Sequence, residues 1–238
     1  MFLEMRIAAC ACMLAAASFY DMKSREIPDK IWLVFGGAGA LLMALEFAGG
    51  FYPARQPLVP YAAGMGVMSL IGYAAYRAGL VGGADAKAIV VLAVLFPEYG
   101  VGYRIHDIPA LSVLSNALIL SMAGLLHNVA RNAVSLAKGV PIFEGVSEGA
   151  LRKALAFSTG FSTASCGRYL FAMEEKDGQG RRKFNFNPAS YNDFIEQGQK
   201  RVWVTHALPF IVYIAAGFAI FIAVGDLLAL AFTGLLPG

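Results

Sequence analysis

Charge is what this 238-residue chain has least of: Asp, Glu, Lys and Arg together make 15% of it, where an ordinary soluble domain carries about a quarter. Cysteine and histidine are also scarce, with three of each. Cys10 and Cys12 are separated by one residue and Cys166 stands far off, so there is no CxxC pair and no zinc-ribbon spacing. No HExxH stretch occurs, which excludes the helix of a zinc protease, and His106, His127 and His206 lie scattered near the ends of apolar segments, where packing or interfacial roles suit them. No metal, cofactor or nucleic-acid partner is expected. Apolar residues fill the space that charge leaves, at 58% of the chain and a mean hydropathy of +0.61.

These residues gather into six stretches of roughly bilayer length: Met5 to Tyr20, Ile31 to Ala48, Leu58 to Tyr76, Ala86 to Tyr99, Ile108 to Ala130 and Val202 to Val224. The pattern predicts an α-helical integral membrane protein with six transmembrane helices. The fourth is the weakest, because its clean apolar run ends at Phe96 before Pro97-Glu98, short of the ~20 residues a perpendicular helix needs. Ala15-Ala16-Ala17 resembles a signal-peptide cleavage site. A signal peptide carries its positive charge ahead of the apolar run, however, whereas Lys23, Arg25 and Lys30 follow this one.

Lys and Arg concentrate in cytoplasmic loops. With the N-terminus outside and six alternating spans, sixteen of the nineteen basic residues fall inside and only Arg6, Arg55 and Arg104 remain outside. One span more or fewer would destroy that asymmetry. The chain is therefore expected in the plasma membrane as a multi-pass protein, in contact with the lipid bilayer. Residues 1–130 hold helices one to five, 131–201 form a small cytoplasmic insertion and 202–238 return to the membrane as helix six. The insertion has 11 basic and 7 acidic residues, and its mixed runs, Arg168 to Met173 and Lys183 to Asn187, read as short strands with turns at Asp177-Gly178 and Asn187-Pro188. Its basic excess follows the positive-inside bias and is also enough to meet anionic headgroups or an acidic partner. Ser112, Ser115 and Asn116 share a face of the fifth span, and Ala62 and Gly66 make a small-xxx-small pair in the third; both read as helix-packing surfaces.

Two acids stand out. Asp21 closes the first span, where the helix dipole disfavours a negative charge, and Asp85 opens the fourth after two glycines. A carboxylate at a membrane edge is costly unless it is hydrated, paired or used. Pairing of Asp21 with Lys23 or Arg25 is one account, and a helix N-cap is another for Asp85 and for Asp29. A single account covers both Asp21 and Asp85: the charge map puts them on the same face, and peptide hydrolysis by two carboxyl groups needs one to activate water and the other to protonate the amide.

Asp21 with Ser24-Arg25-Glu26-Ile27-Pro28-Asp29, together with Gly82-Gly83-Ala84-Asp85-Ala86-Lys87 opening a later helix, resembles the GxGD-type intramembrane aspartyl proteases of the type IV prepilin peptidase group, and most of all archaeal preflagellin peptidases. The likeness covers nearly the whole chain, including the soluble segment before the last span. It implies Asp21 and Asp85 as the catalytic pair, with Gly82, Gly83, Ala84, Lys87 and Pro28 supporting it. It also implies a membrane-anchored substrate, an archaellin or pilin-like precursor cut between a short basic leader and its hydrophobic segment at the cytoplasmic face. Ala84 stands where the motif has glycine, and Asp29 where many relatives have Asn. The cysteine tetrad of prepilin peptidases that also N-methylate is absent. A small transporter or proton pathway, with Asp226 and Glu46 joining the route, is the alternative; a non-catalytic scaffold is a third.

Overall fold

The computed structural model describes residues 2–50, 58–97, 107–164, 170–176, 178, 181–186, 201–206 and 209–235. In chain order these form helices α1 (Phe2–Ser24), α2 (Asp29–Ala48), α3 (Leu58–Arg77), α4 (Gly83–Leu95), α5 (Pro109–Ala137) and α6 (Ala150–Thr159). Strands β1 (Phe161–Thr163), β2 (Leu170–Ala172), β3 (Glu174–Lys176), β4 (Arg182–Phe184) and β5 (Val202–His206) follow, then α7 (Phe210–Val224) and α8 (Leu227–Leu235). The chain divides into two compact units, Met1–Leu120 with Pro209–Gly238, and Ser121–Leu208.

In the first unit α4 is the hub, packed against α1, α2, α3 and α7. It has thirteen residues, about 20 Å at 1.5 Å per residue. It stops at Phe96 because the proline at position 97 disfavours helical backbone in the residue before it. Burial on many sides explains its almost unbroken apolar sequence: Ala88, Leu92, Ala93 and Leu95 are shielded from solvent. Two glycines let neighbours come close. A Cβ on Gly39 would lie 3.2 Å from the Leu95 backbone, and one on Gly72 would lie 3.2 Å from the Ala86 carbonyl oxygen.

The far end of α4 is closed by a buried ion pair. Arg6 Nε and Nη2 donate to Glu46 Oε1 and Oε2 at 2.9 and 2.8 Å, and Arg6 Nη1 donates to the Leu95 carbonyl at 2.8 Å. One guanidinium thus neutralises the acid of α2 and satisfies a terminal carbonyl of α4, groups that would each be costly alone in an apolar interior. Phe96 packs edge-on against Phe218 and Phe221 of α7.

Among the described residues three helices, α1, α2 and α5, are long and apolar enough to cross a membrane, and α7 is a shorter apolar helix. The sixth expected span is shorter than the apolar run implied. Val202 to His206 is not helical but pairs antiparallel with both β1 and β2, Val204 lying opposite Phe161 and Ala172. Val202, Val204 and Thr205 are β-branched and Trp203 is aromatic, residue types that favour a strand, and Pro209 caps a helix that begins only at Phe210. The fifth helix runs seven residues past Ala130, and α6 and α8 were hidden in segments the hydropathy left unassigned. The turn residues Asp177, Asn187 and Pro188 lie outside the described residues.

The second unit is built on the β1-β5-β2 sheet and the β3-β4 hairpin. Trp203 is fully buried with Ile142 and Phe184, and its indole N–H donates to the Ile142 carbonyl at 2.7 Å. Arg182 binds both Glu174 carboxylate oxygens at 2.6 Å.

Candidate active site

The site forms where three helix ends meet in sequence logic and in space. α1 ends because Arg25 takes a left-handed conformation (φ 59) and its N–H closes onto the Asp21 carbonyl. The Ser24 hydroxyl donates to the Tyr20 and Glu26 carbonyls. Pro28, with φ −60 and ψ 131, then occupies the N-cap position of α2. Its ring fixes the extended entry into the helix and brings no N–H that would need a partner. The linker is so short that the end of α1 and the start of α2 share one side of the bundle.

Asp21 is buried in the last turn of α1, and its Oδ1 lies 3.5 Å from Arg25 Nη1. That contact is loose for an ion pair, and Arg25 is four residues on, so the cation shields the carboxylate without covering it. Asp85 sits in the first turn of α4, half-buried, and its Oδ2 accepts the Gly82 N–H at 2.9 Å. It is therefore not the N-cap itself but the residue three positions later that reaches back to the N-cap, which is Gly82. A Cβ at Gly82 would lie 3.2 Å from Asp85 Oδ2, so a larger residue there would push the carboxylate aside by a few tenths of an ångström. The bond holds one oxygen of Asp85 in place.

Asp21 in the last turn of α1 and Asp85 in the first turn of α4 stand at the ends of two helices that pack against each other. Ala84 at the third motif position is helical and partly buried against the core, and Gly83 faces Tyr76. No positive φ occurs at Gly82, Gly83 or Ala84, so the alanine fits without strain.

Lys87 and Asp29 meet directly, Nζ to Oδ1 at 2.6 Å. The expectation of a capping role for Asp29 is corrected: Pro28 is the cap, and Asp29 is the first helical residue, paired across to α4. The acids that a transport route would recruit serve structure instead. Glu46 is bound by Arg6. Asp226 caps α8, accepting the Leu228 N–H at 2.9 Å and the Ser112 hydroxyl at 2.9 Å. Asn116 joins the same knot by receiving the Leu227 N–H and donating to the Gly225 carbonyl, so the polar face of α5 is a packing surface as expected. Ala62 and Gly66 are exposed instead, and a Cβ on Gly66 would meet no atom within 4 Å. Sequence reading missed the Arg6–Glu46 pair; its one signal was a lone cation and a lone anion each inside an apolar run.

The description of the type IV leader peptidase family matches residues 8–128, a stretch that contains both Asp21 and Asp85. A second, the archaeal peptidase A24 C-terminus of type II, matches residues 161–227. The first match places the chain in the class of leader peptidases: it belongs to the type IV leader peptidase family. It is similar to the preflagellin peptidase of Methanococcus voltae, 29% identical over 232 residues that cover 90% of this chain and 92% of the relative. It is also similar to the preflagellin peptidase of Methanococcus maripaludis, 26% identical over 230 residues with the same coverage.

Proposed function

We propose that the protein is an aspartyl endopeptidase that removes the short basic leader from archaellin or pilin-like precursors at the cytoplasmic membrane face, with Asp21 and Asp85 as its catalytic pair. The observation that supports the reading is the placement of two acids at the ends of helices that pack against each other, Asp21 closing α1 and Asp85 opening α4, both inside the stretch that the family matches. In the proposed reaction one carboxylate takes a proton from water as the water oxygen attacks the scissile carbonyl carbon. The partner, in its acid form, protonates the carbonyl oxygen to give a gem-diol; the first aspartate then passes the proton it took from water to the leaving nitrogen as the C–N bond breaks, and a gem-diol hydroxyl returns its proton to the partner. The Gly82 N–H fixes Asp85 while it does so. The pair lies beside the α1–α2 linker, so water reaches it from the loop side while a lipid-embedded segment of the substrate stays in place. The six-span topology with an outside N-terminus belongs to the same proposal, supported by the distribution of Lys and Arg.

The test is cleavage of a purified membrane-anchored precursor with a basic leader, a small residue and a hydrophobic segment. One new N-terminus, identified by mass spectrometry at the leader junction, is expected. An intact precursor after prolonged incubation with folded protein would refute the proposal.

A further inference from the structure

The unit of residues 121–208 contains a cavity of about 440 Å³ that proteolysis does not use, lined by His127, Arg131, Val134, Ser135, Lys138 and Arg201 among others. Four of these are basic, and among the described residues no Asp or Glu lines it. His127, Arg131, Val134, Ser135 and Lys138 recur at helical spacing and so form one stripe along the end of α5. Both guanidinium groups are held in place by neutral partners. The Arg131 Cζ lies 3.6 Å from the centre of the Phe161 ring, and Arg201 donates to the Ser162 hydroxyl and carbonyl at 3.2 and 2.7 Å. The local field is positive: the His206 imidazole is held below its usual range by partial desolvation, then by the charges of Arg131 and His127. A cation just past a helix C-terminus offsets the dipole, which accounts for Lys138. The dipole's effect fades within a turn, so it accounts for neither Arg131 nor His127.

Depth matters as well as charge. α5 has 29 residues, about 43 Å of helix against a hydrocarbon core of about 30 Å. Its apolar run ends at Ala130, so His127 lies in the last turn of that run and Arg131 and Lys138 follow it, at the depth of the headgroup layer. Fixed guanidinium forks with an ammonium nearby, and no carboxylate among the described lining residues, suit a phosphate group.

We propose that this cavity is a phosphate-binding site, filled by the phosphate of an anionic lipid headgroup or by free phosphate. The test is thermal unfolding of the full-length protein in neutral detergent, titrated separately with phosphatidylglycerol, phosphatidylcholine and inorganic phosphate. Phosphatidylglycerol is expected to raise the melting temperature saturably and phosphatidylcholine to leave it unchanged. Lys138→Gln should weaken the response about tenfold, as loss of one charged hydrogen bond does, and Lys138→Arg should restore it. Arg201→Gln, if folded, should do as Lys138→Gln does. If inorganic phosphate alone gives the full shift and competes with the lipid, the site stands and its source is the free ion. An equal response to both lipids, or an undiminished phosphatidylglycerol response in Lys138→Gln, would overturn the assignment, as would no response to either anion.

Discussion

The Lys87 ammonium lies 2.6 Å from the Asp29 carboxylate and so joins the first turns of α4 and α2 at the end where α1 delivers Asp21. Both side chains remain half-exposed or more, and a surface pair of this kind contributes about 0–1 kcal/mol. Asp29→Asn is therefore expected to keep cleavage within about fivefold of the parent, the rate equivalent of 1 kcal/mol. A steady-state kcat/KM on a precursor peptide checks it.

Asp21→Asn and Asp85→Asn should each reduce cleavage by at least ~10²-fold, the usual contribution of a positioned acid or base. Stability separates the two roles of Asp85. The amide oxygen of an asparagine can still accept the Gly82 N–H, so the melting temperature of Asp85→Asn should stay near the parent's while activity vanishes. If the variant keeps more than a tenth of the activity, Asp85 is a helix-end acceptor only.

The buried Arg6–Glu46 pair should behave in the opposite way. Glu46→Gln strands a guanidinium among apolar helices and is expected to cost about 3–5 kcal/mol, whereas replacing both partners with Met and Leu should be far milder. Denaturation of the single and double variants decides it. A double variant no more stable than Glu46→Gln would show that the Leu95 carbonyl contact, not the ion pair, dominates.

Glycine contacts supply a paired test of packing. A Cβ on Gly217 would lie 2.7 Å from the Val113 carbonyl oxygen and 2.8 Å from the Ala117 nitrogen, both backbone atoms of α5. Gly217→Ala should destabilise the bundle by about 1–3 kcal/mol. Gly66→Ala, in open space, should be neutral or slightly stabilising, because alanine favours helix.

Topology is checked by reporter fusions. Those after Lys30, Arg77 and Gly180 should report the cytoplasm, and those after Gly50 and at the C-terminus the outside. A cytoplasmic C-terminus would remove one crossing from the proposed arrangement.

Asp21 and Asp85 were visible in the sequence because an acid beside a long apolar run has few inexpensive explanations, and the glycines before Asp85 strengthened the signal. Other features depended on contacts far apart in the chain. Arg6 and Glu46 are forty positions apart, and hydropathy alone gave no reason to pair them with each other rather than with water. The β-branched and aromatic run Val202-Trp203-Val204-Thr205 reads as part of the adjoining apolar helix because hydrophobicity measures burial, not the backbone that achieves it. α8 escaped notice for a similar reason: its start depends on Gly225 at φ 95 and on the Asp226 cap, both local details inside an apolar tail.

The closed far end of α4 has a consequence for the cell's energy economy. A peptidase that admits water to acidic groups inside a membrane risks becoming a proton leak. On the proposed reading, the aspartates and the Arg6–Glu46 pair occupy opposite ends of a helix of thirteen residues, with Leu92, Leu95 and the Phe96–Phe218–Phe221 rings between or beside them. Hydration that serves hydrolysis at one face then ends at a dry barrier backed by a fixed charge pair. On that reading, the acids that hydrolysis needs can be wetted without opening a path for protons through the bundle.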